Sequence, residues 1–393
     1  MKTNEYVNAF CTGCGLCNSV CNSSFKEDKK GFPYVNLSKD DDTAIHEQVC
    51  PVFYYSGQCE HDVWGVVDSA LVMYSSDEDI RYKAASGGAL TEICVQLLEE
   101  KSVDAILHTT YSPDDSTKTI NCVSLTSQEV KSRCGSRYSI STPLKDLFTN
   151  IDLNKKYAFV GKPCDVMALR SYMKTDEKVR KAFVYLLSFF CAGEPSQDAQ
   201  KALLAKMNCT IEDCENILYR GNGWPGYTTV TKKDGTVNKL EYKVAWGQYL
   251  GRDIRDICRL CMDGTGDAAD IVCADFWYLD DSGKPDFSEH EGRNIVISRN
   301  KKGTELVQRA VSAGRLVCES DFTGQMDEFY KYQPHQYTRK STMGSVIAAM
   351  KLFGKKTPQY SRSYIKKYSV HADAKTKWKY FKGTVKRCLK GRI

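Results

Sequence analysis

The sequence predicts an α/β protein (α+β overall) with a cysteine-rich N-terminal module over residues 1–62, an α/β body over 63–325 and a basic, aromatic-rich tail over 326–393. Three observations carry this reading. Eighteen cysteines are present and the first several are tightly spaced. From about residue 66, short apolar runs alternate with helix-like stretches, the pattern of strands joined by helical crossovers. Residues 331–393 hold 17 Lys and Arg against one acidic residue, Asp373, whereas the rest of the chain holds 38 basic and 48 acidic residues.

Residues 1 to about 60 show little periodicity, so their order is expected to come from whatever the cysteines bind. Residues 66–74 (VVDSALVMY) read as a strand, followed by Ser86-Gly87-Gly88 and a helix over 89–101. Further strands are expected at 103–109, at 156–161 with a helix over 164–173, and at 183–190 with a helix over 195–207. This alternation favours a largely parallel sheet covered on both faces. Residues 227–231 and 236–242, separated by Lys232-Lys-Asp-Gly235, read as an inserted β-hairpin. Short strands at 269–275 and 294–299 and a helix over 304–313 complete the body.

So many cysteines imply either disulfides in an oxidising compartment or metal in a reducing one. The start, Met1-Lys2-Thr3-Asn4-Glu5, leads into no apolar stretch, and no run approaches the roughly 18 apolar residues of a membrane span. The most apolar segment, 182–193, is short and reads as a buried strand. A reducing, cytoplasmic setting with cysteine-bound metal is therefore expected.

Cys11-Thr-Gly-Cys14-Gly-Leu-Cys17-Asn-Ser-Val-Cys21 has the C-x2-C-x2-C-x3-C spacing of bacterial ferredoxins. A [4Fe-4S] cube needs four thiolates around a small volume, and Gly13 and Gly15 permit the tight loop that supplies three of them. In two-cluster ferredoxins the fourth cysteine serves the other cluster. Here Asn22 follows Cys21, while Cys50 precedes Pro51. Counting back from Cys50 by the same spacing meets His46, Thr43 and Asp40, so a second set has lost its first three ligands. One cluster is expected on Cys11, Cys14, Cys17 and Cys50, with Cys21 orphaned or the alternative fourth ligand. The competing reading is a structural zinc knuckle.

Cys258-Arg-Leu-Cys261 is a second C-x-x-C pair, and Cys164 and Cys191 follow predicted strands. In a parallel sheet such strand ends share one edge, so four thiolates could converge there. Two buried free cysteines and a surface pair are the plain alternative. Cys59, Cys94, Cys122, Cys134, Cys209, Cys214, Cys273, Cys318 and Cys388 have no partner spacing and read mostly as inert, with Cys134 held in reserve.

Seven segments together give the body a family resemblance: Ala85-Ser-Gly-Gly-Ala-Leu-Thr91, Cys134-Gly-Ser-Arg-Tyr138, Gly161-Lys-Pro-Cys-Asp165, Cys191-Ala-Gly-Glu-Pro-Ser196, Tyr219-Arg-Gly-Asn-Gly-Trp-Pro-Gly226, Cys258-Arg-Leu-Cys261 and Ala269-Asp-Ile-Val-Cys-Ala-Asp-Phe-Trp277. In this order the sequence resembles the coenzyme F420 hydrogenase/dehydrogenase beta-subunit family. The resemblance implies a flavin-binding body behind a ferredoxin-like module, with a second [4Fe-4S] cluster on Cys164, Cys191, Cys258 and Cys261. It also implies FAD, which exchanges single electrons with clusters and a hydride with an organic partner. Flavin contacts are expected at Ser86, Gly87 and Gly88, where a helix start suits a pyrophosphate, and at Ser136, Arg137, Tyr138, Pro163 and Trp224. The family's usual histidine after Cys191 is Ala192 here.

For the tail, three readings stand: a solvated, partly helical segment, a contact with an anionic membrane surface, or a contact with nucleic acid or an acidic protein such as ferredoxin. A redox body makes nucleic acid the least favoured. The whole then reads as a cytoplasmic oxidoreductase, peripheral to the inner face of the membrane if the tail binds there. Its substrate is a small organic molecule, with coenzyme F420 a candidate and a sugar or lipid-linked intermediate another. The rivals are a non-catalytic electron-transfer subunit of a larger redox complex and a zinc-stabilised binding protein.

Overall fold

The structure is a computed structural model and describes residues 2–56, 63–149 and 151–391. Cys59 and the expected module boundary at 62 lie outside the described residues. In chain order the strands are β1 (Phe25–Glu27), β2 (Pro33–Val35), β3 (Ser69–Ser75), β4 (Ala105–Tyr111), β5 (Thr119–Ser124), β6 (Tyr157–Gly161), β7 (Phe183–Phe189), β8 (Cys214–Leu218), β9 (Tyr227–Lys232), β10 (Val237–Glu241), β11 (Ile271–Asp275), β12 (Asn294–Ser298) and β13 (Leu316–Asp321).

Eight of them form one sheet in the order β13-β3-β12-β11-β7-β6-β4-β5. The expected parallel sheet exists only at its centre, where β11, β7, β6 and β4 run parallel. Antiparallel pairings flank it: β11–β12, β12–β3 and β3–β13 on one side, β4–β5 on the other. Parallel pairing needs a crossover, which the helices Pro163–Tyr172 and Glu177–Ala182 supply, whereas β4 and β5 are joined by a short turn that returns the chain antiparallel. Helix starts are fixed locally. The Asp176 side chain accepts from the Lys178 and Val179 N–H groups, Ser196 caps Gln197–Lys206, and Pro163 occupies a first-turn position whose N–H has no helical partner.

The two sheet faces bury separate apolar cores. One joins Ile93, Leu97, Ile106, Leu306 and Val307. The other runs from Tyr6, Phe10 and Leu16 of the N-terminal module through Phe159 and Met167 to Met343, Val346, Tyr364 and Tyr368. The N-terminal and C-terminal segments therefore share the body's core. Residues 326–393, expected as a tail, form helices Pro334–Leu352, Arg362–Ser369 and Ala374–Leu389, the first packed against the other two. The expected hairpin is present as β9 and β10, and β8 pairs with β9 to make a three-stranded sheet.

Candidate functional site

The loop carrying the first cysteines turns on Gly13 (φ +75°) and Gly15 (φ +92°). A side chain at Gly15 would meet the Lys145 backbone N at 2.5 Å, and one at Gly13 the Arg255 guanidinium at 2.6 Å. The backbone N–H groups of Gly13 and Val35 point at the Cys11 Sγ, at 3.4 and 3.5 Å. Cys50 follows the Ala44–Val49 helix and faces Cys11 and Cys14, while Cys17 faces Cys11 and Cys50. Burial, then the mutual repulsion of these sulfurs, raises the Cys14, Cys17 and Cys50 thiols. Such a set carries thiolates only with positive charge among them. Cys21 is more exposed: it donates to the Cys17 carbonyl at 3.0 Å, lies 3.2 Å from Ser23 Oγ and, after burial, Cys11 and Cys50, also raises the Cys17 thiol.

The second set forms where the parallel strands end. Cys164 sits in the first turn of the helix after β6, and Cys191 lies just past β7. Cys258 and Cys261 come from the Asp256–Arg259 turn and the residues after it. Burial leads in pushing Cys258 up to about 12 and Cys261 to about 11, and both also feel Cys191. All four sulfurs' residues wall one cavity of about 60 Å³, together with Thr12, Pro51 and Val52 of the N-terminal module and Arg339, Pro358 and Tyr360 from the C-terminal segment. Gln336 and Arg339 donate to the Cys191 carbonyl at 2.9 and 3.1 Å. Among the described residues, no group of three or more His, Cys, Asp or Glu converges on a single-ion site.

A buried ionic chain links the two sets. Arg255 donates to the Pro33 carbonyl at 2.8 Å and approaches the Cys11 carbonyl at 3.5 Å, and it pairs with Glu194 at 2.7 Å. Glu194 also faces Lys162 at 3.5 Å, and Lys162 pairs with Asp165 at 3.1 Å, next to Cys164. Burial works against the charge of Lys162, but Asp165 and Glu194 outweigh it and its pKa ends raised. Burial opposes Glu194 as well, and Arg255 and Lys162 bring it below the usual range.

A larger cavity of about 630 Å³ opens beside the second set, with Lys162, Asp165, Cys191 and Glu194 on its wall. Its size falls within the roughly 300–1,000 Å³ of ligand and cofactor pockets. Of the expected flavin contacts, Ser86, Gly88, Ser136, Arg137 and Tyr138 line it, and so does Cys134. Pro163 lies instead on the smaller cavity. Gly87 is packed against β12, since a side chain there would meet Arg293 Cα at 2.7 Å. Trp224 is buried, stacked on Trp277 at 4.8 Å with its indole N–H on Asp275, and Trp277 is the ring on the wall. Of the helix-start N–H groups, that of Ala89 is taken by Asn294 at 3.1 Å.

One stretch of this wall is cationic. Arg133 and Arg137 form no ion pair with a carboxylate among the described residues, and Arg137 lies 3.5 Å over the Tyr111 ring, held by backbone carbonyls. Nearby His108 reports the same field: burial first, then Arg133 and Arg137, lower it to about 4. Opposite charge is favoured there, and an anionic group such as a pyrophosphate suits the place. Elsewhere the wall is aromatic, with Tyr242, Trp277 and Phe287. Lys162 and Glu194 fall inside segments that carry the family resemblance, whereas Arg133 and Arg255 had no spacing signal.

Residues 70–148 match the N-terminal model, and residues 154–321 the C-terminal model, of the coenzyme F420 hydrogenase/dehydrogenase beta subunit. The chain belongs to this family. Within it, the chain is 25% identical over 265 residues to coenzyme F420 hydrogenase subunit beta of Methanococcus voltae, covering 64% of this chain and 84% of that one. It is 23% identical over 321 residues to the coenzyme F420-dependent sulfite reductase of Methanocaldococcus jannaschii, 78% of this chain and 47% of that protein. A chain in the F420-reducing [NiFe] hydrogenase complex of Methanosarcina barkeri shares the fold of this family member, with a TM-score of 0.55 at 19% identity over 76% of this chain and 98% of that one. Relatives named as hydrogenase and dehydrogenase beta subunits tie the family to oxidoreductases.

Proposed function

We propose that this chain is an iron–sulfur flavoprotein oxidoreductase that passes electrons between two [4Fe-4S] clusters and FAD and reduces or oxidises a small organic substrate, with coenzyme F420 the leading candidate. One observation carries the reading: the second cysteine set borders both its neighbours. Cys191 lies on the walls of both cavities, and the smaller one also touches Thr12 and Pro51, which adjoin first-set cysteines.

Cys11, Cys14, Cys17 and Cys50 would hold one cluster and Cys164, Cys191, Cys258 and Cys261 the other. Soft thiolates without a competing harder ligand favour iron–sulfur or zinc. The C-x2-C-x2-C spacing of the first set is that of bacterial ferredoxins, which favours iron–sulfur there. Bound clusters and flavin supply the conversion between one-electron and two-electron chemistry. The chain's own part is to orient and compensate. Gly13 and Val35 aim N–H groups at the Cys11 sulfur, Lys162 and Arg255 would offset thiolate charge, and Arg137 with Arg133 would hold the pyrophosphate in the cavity that Ser86 and Gly88 also line. Ser136 and Tyr138 complete that wall. The aromatic wall offers a face for a flat organic substrate.

The reading belongs to a reducing, cytoplasmic compartment, where the thiolates stay available. Its electron partner would be a protein such as ferredoxin or another subunit. A second reading, a subunit that only transfers electrons, is favoured by the relatives' description as subunits. Turnover of F420 by the isolated chain separates the two.

Anaerobic purification with iron, sulfide, zinc and flavin quantified tests the proposal. It predicts eight iron and one FAD per chain. Four iron with FAD removes one cluster, and zinc without iron or flavin overturns the reading.

A further inference from the structure

Independently of the redox reading, we propose that the outward face of the Ala374–Leu389 helix is a docking surface for an anionic lipid bilayer. The inner face of this helix is accounted for: Thr384 and Cys388 are buried, and the helix packs on Pro334–Leu352. The outer face exposes Lys375, Trp378, Lys379, Lys382, Lys386 and Leu389. At 3.6 residues per turn these six project within an arc of about 100° along a helix about 24 Å long.

The stripe has one sign of charge and a greasy margin. Trp378 is 55% and Leu389 71% exposed, at positions a soluble surface would ordinarily fill with polar residues. Trp378 stacks on Phe381 at 5.3 Å, and Lys382 Nζ sits 5.1 Å from the Trp378 ring, so the apolar and cationic groups form one built patch. The preceding Arg362–Ser369 helix, which also packs on Pro334–Leu352, exposes Arg362 and Lys366 and is followed by Val370 at 74% exposure. The single acidic residue of 331–393, Asp373, is occupied in capping the helix, where it accepts from the Thr376 N–H at 2.6 Å. That one negative charge sits at the N-terminal end beside Lys375 and Lys377, so within this segment Lys379, Lys382 and Lys386 face no carboxylate of their own.

A bilayer surface answers each feature. Anionic headgroups meet a row of lysines without needing matched pairs, and the headgroup region takes an indole and a leucine beside them. An acidic protein would have to match this row with carboxylates and place an apolar patch beside Trp378 and Leu389 in one fixed arrangement, which a fluid headgroup layer does not require. No described helix is long and apolar enough to cross a membrane, so the contact is with the surface.

The test uses the full chain, purified anaerobically, with vesicles of phosphatidylcholine alone or with a one-third share of phosphatidylglycerol. Cosedimentation is expected only with the anionic vesicles, with release by salt. K379Q/K382Q/K386Q should weaken it about a hundredfold, since each lysine at such a surface is worth about fivefold. These side chains are exposed, so far-UV circular dichroism and metal content should match the parent chain. The tryptophan blue shift on binding should be lost in W378F. Equal binding to both vesicles, no binding to either at low salt, or binding unchanged in the triple variant overturns the proposal. Retention by an acidic ferredoxin without vesicle binding overturns it too and assigns the stripe to a protein.

Discussion

Replacing Arg255 with Met should destabilise the protein by about 3–4 kcal/mol. Removing one member of a buried pair costs about 3–5 kcal/mol, because the other charge is left without compensation. Here the lower end applies, since Glu194 keeps the Ser141 N–H at 3.0 Å and Lys162 at 3.5 Å. The Pro33 carbonyl also loses its 2.8 Å donor, worth about 1 kcal/mol. If the stranded carboxylate is the main cost, R255M/E194Q should recover most of the loss. Urea unfolding under anaerobic conditions, followed by circular dichroism, measures all three forms. The acid dependence has a defined sign. The Glu194 carboxyl lies below its ordinary value of 4.5, so the pair stabilises the fold at neutral pH and this contribution is lost as pH falls through the folded pKa. The gap between parent and R255M should therefore narrow on acidification. A single variant within about 1 kcal/mol of the parent, or a double variant no more stable than R255M, would refute the reasoning.

Cys50→Ser should lose about half of the bound iron, whereas Cys21→Ser should keep it; iron and sulfide assays that show the reverse would exchange their roles. Lys340→Met should lower stability by about 2–4 kcal/mol, because this buried ammonium donates to the Val63 carbonyl at 2.8 Å and Thr265 Oγ1 at 2.9 Å. An unchanged melting temperature would contradict that. Gly87→Ala should lower flavin occupancy by forcing the cavity wall off Arg293, while Gly324→Ala, with open space around it, should not. Flavin absorbance of the purified variants decides.

Which elements were legible follows from which ones bury apolar side chains. The strands β6, β7, β11 and β12 are apolar and buried, and the sequence marks each within a residue or two. In β13 only Leu316 is buried, and β5 carries a mixed pattern, so neither edge strand shows alternation. Their antiparallel pairing is also why the sheet is less parallel than the alternation suggested. In the C-terminal segment the lysines dominate the composition and mask Met343, Val346, Ile347 and Met350, which bind the Pro334–Leu352 helix to the core. Spacing grouped Cys11, Cys14 and Cys17, and the proline after Cys50 added the fourth. The second set spans nearly a hundred residues and needed the family resemblance. Arg255 and Glu194 lie 61 residues apart and meet only through the fold. Trp224 and Trp277 show the same limit: both are aromatic residues in resemblance segments, and only packing decides which one faces the cavity.

The wall of the smaller cavity has a consequence for synthesis. Its last sides are Arg339, Pro358 and Tyr360, whereas the fourth cysteine, Cys261, is made roughly 100 residues before Tyr360. At ribosomal rates of about 5–20 residues per second, that separation lasts about 5–20 s. Through that interval the four cysteines exist without their cover. If they take a cluster as proposed, loading and sealing become successive events: a pause in synthesis would lengthen the time open to iron and sulfide, whereas a supply that came only after closure would leave a set that closed empty.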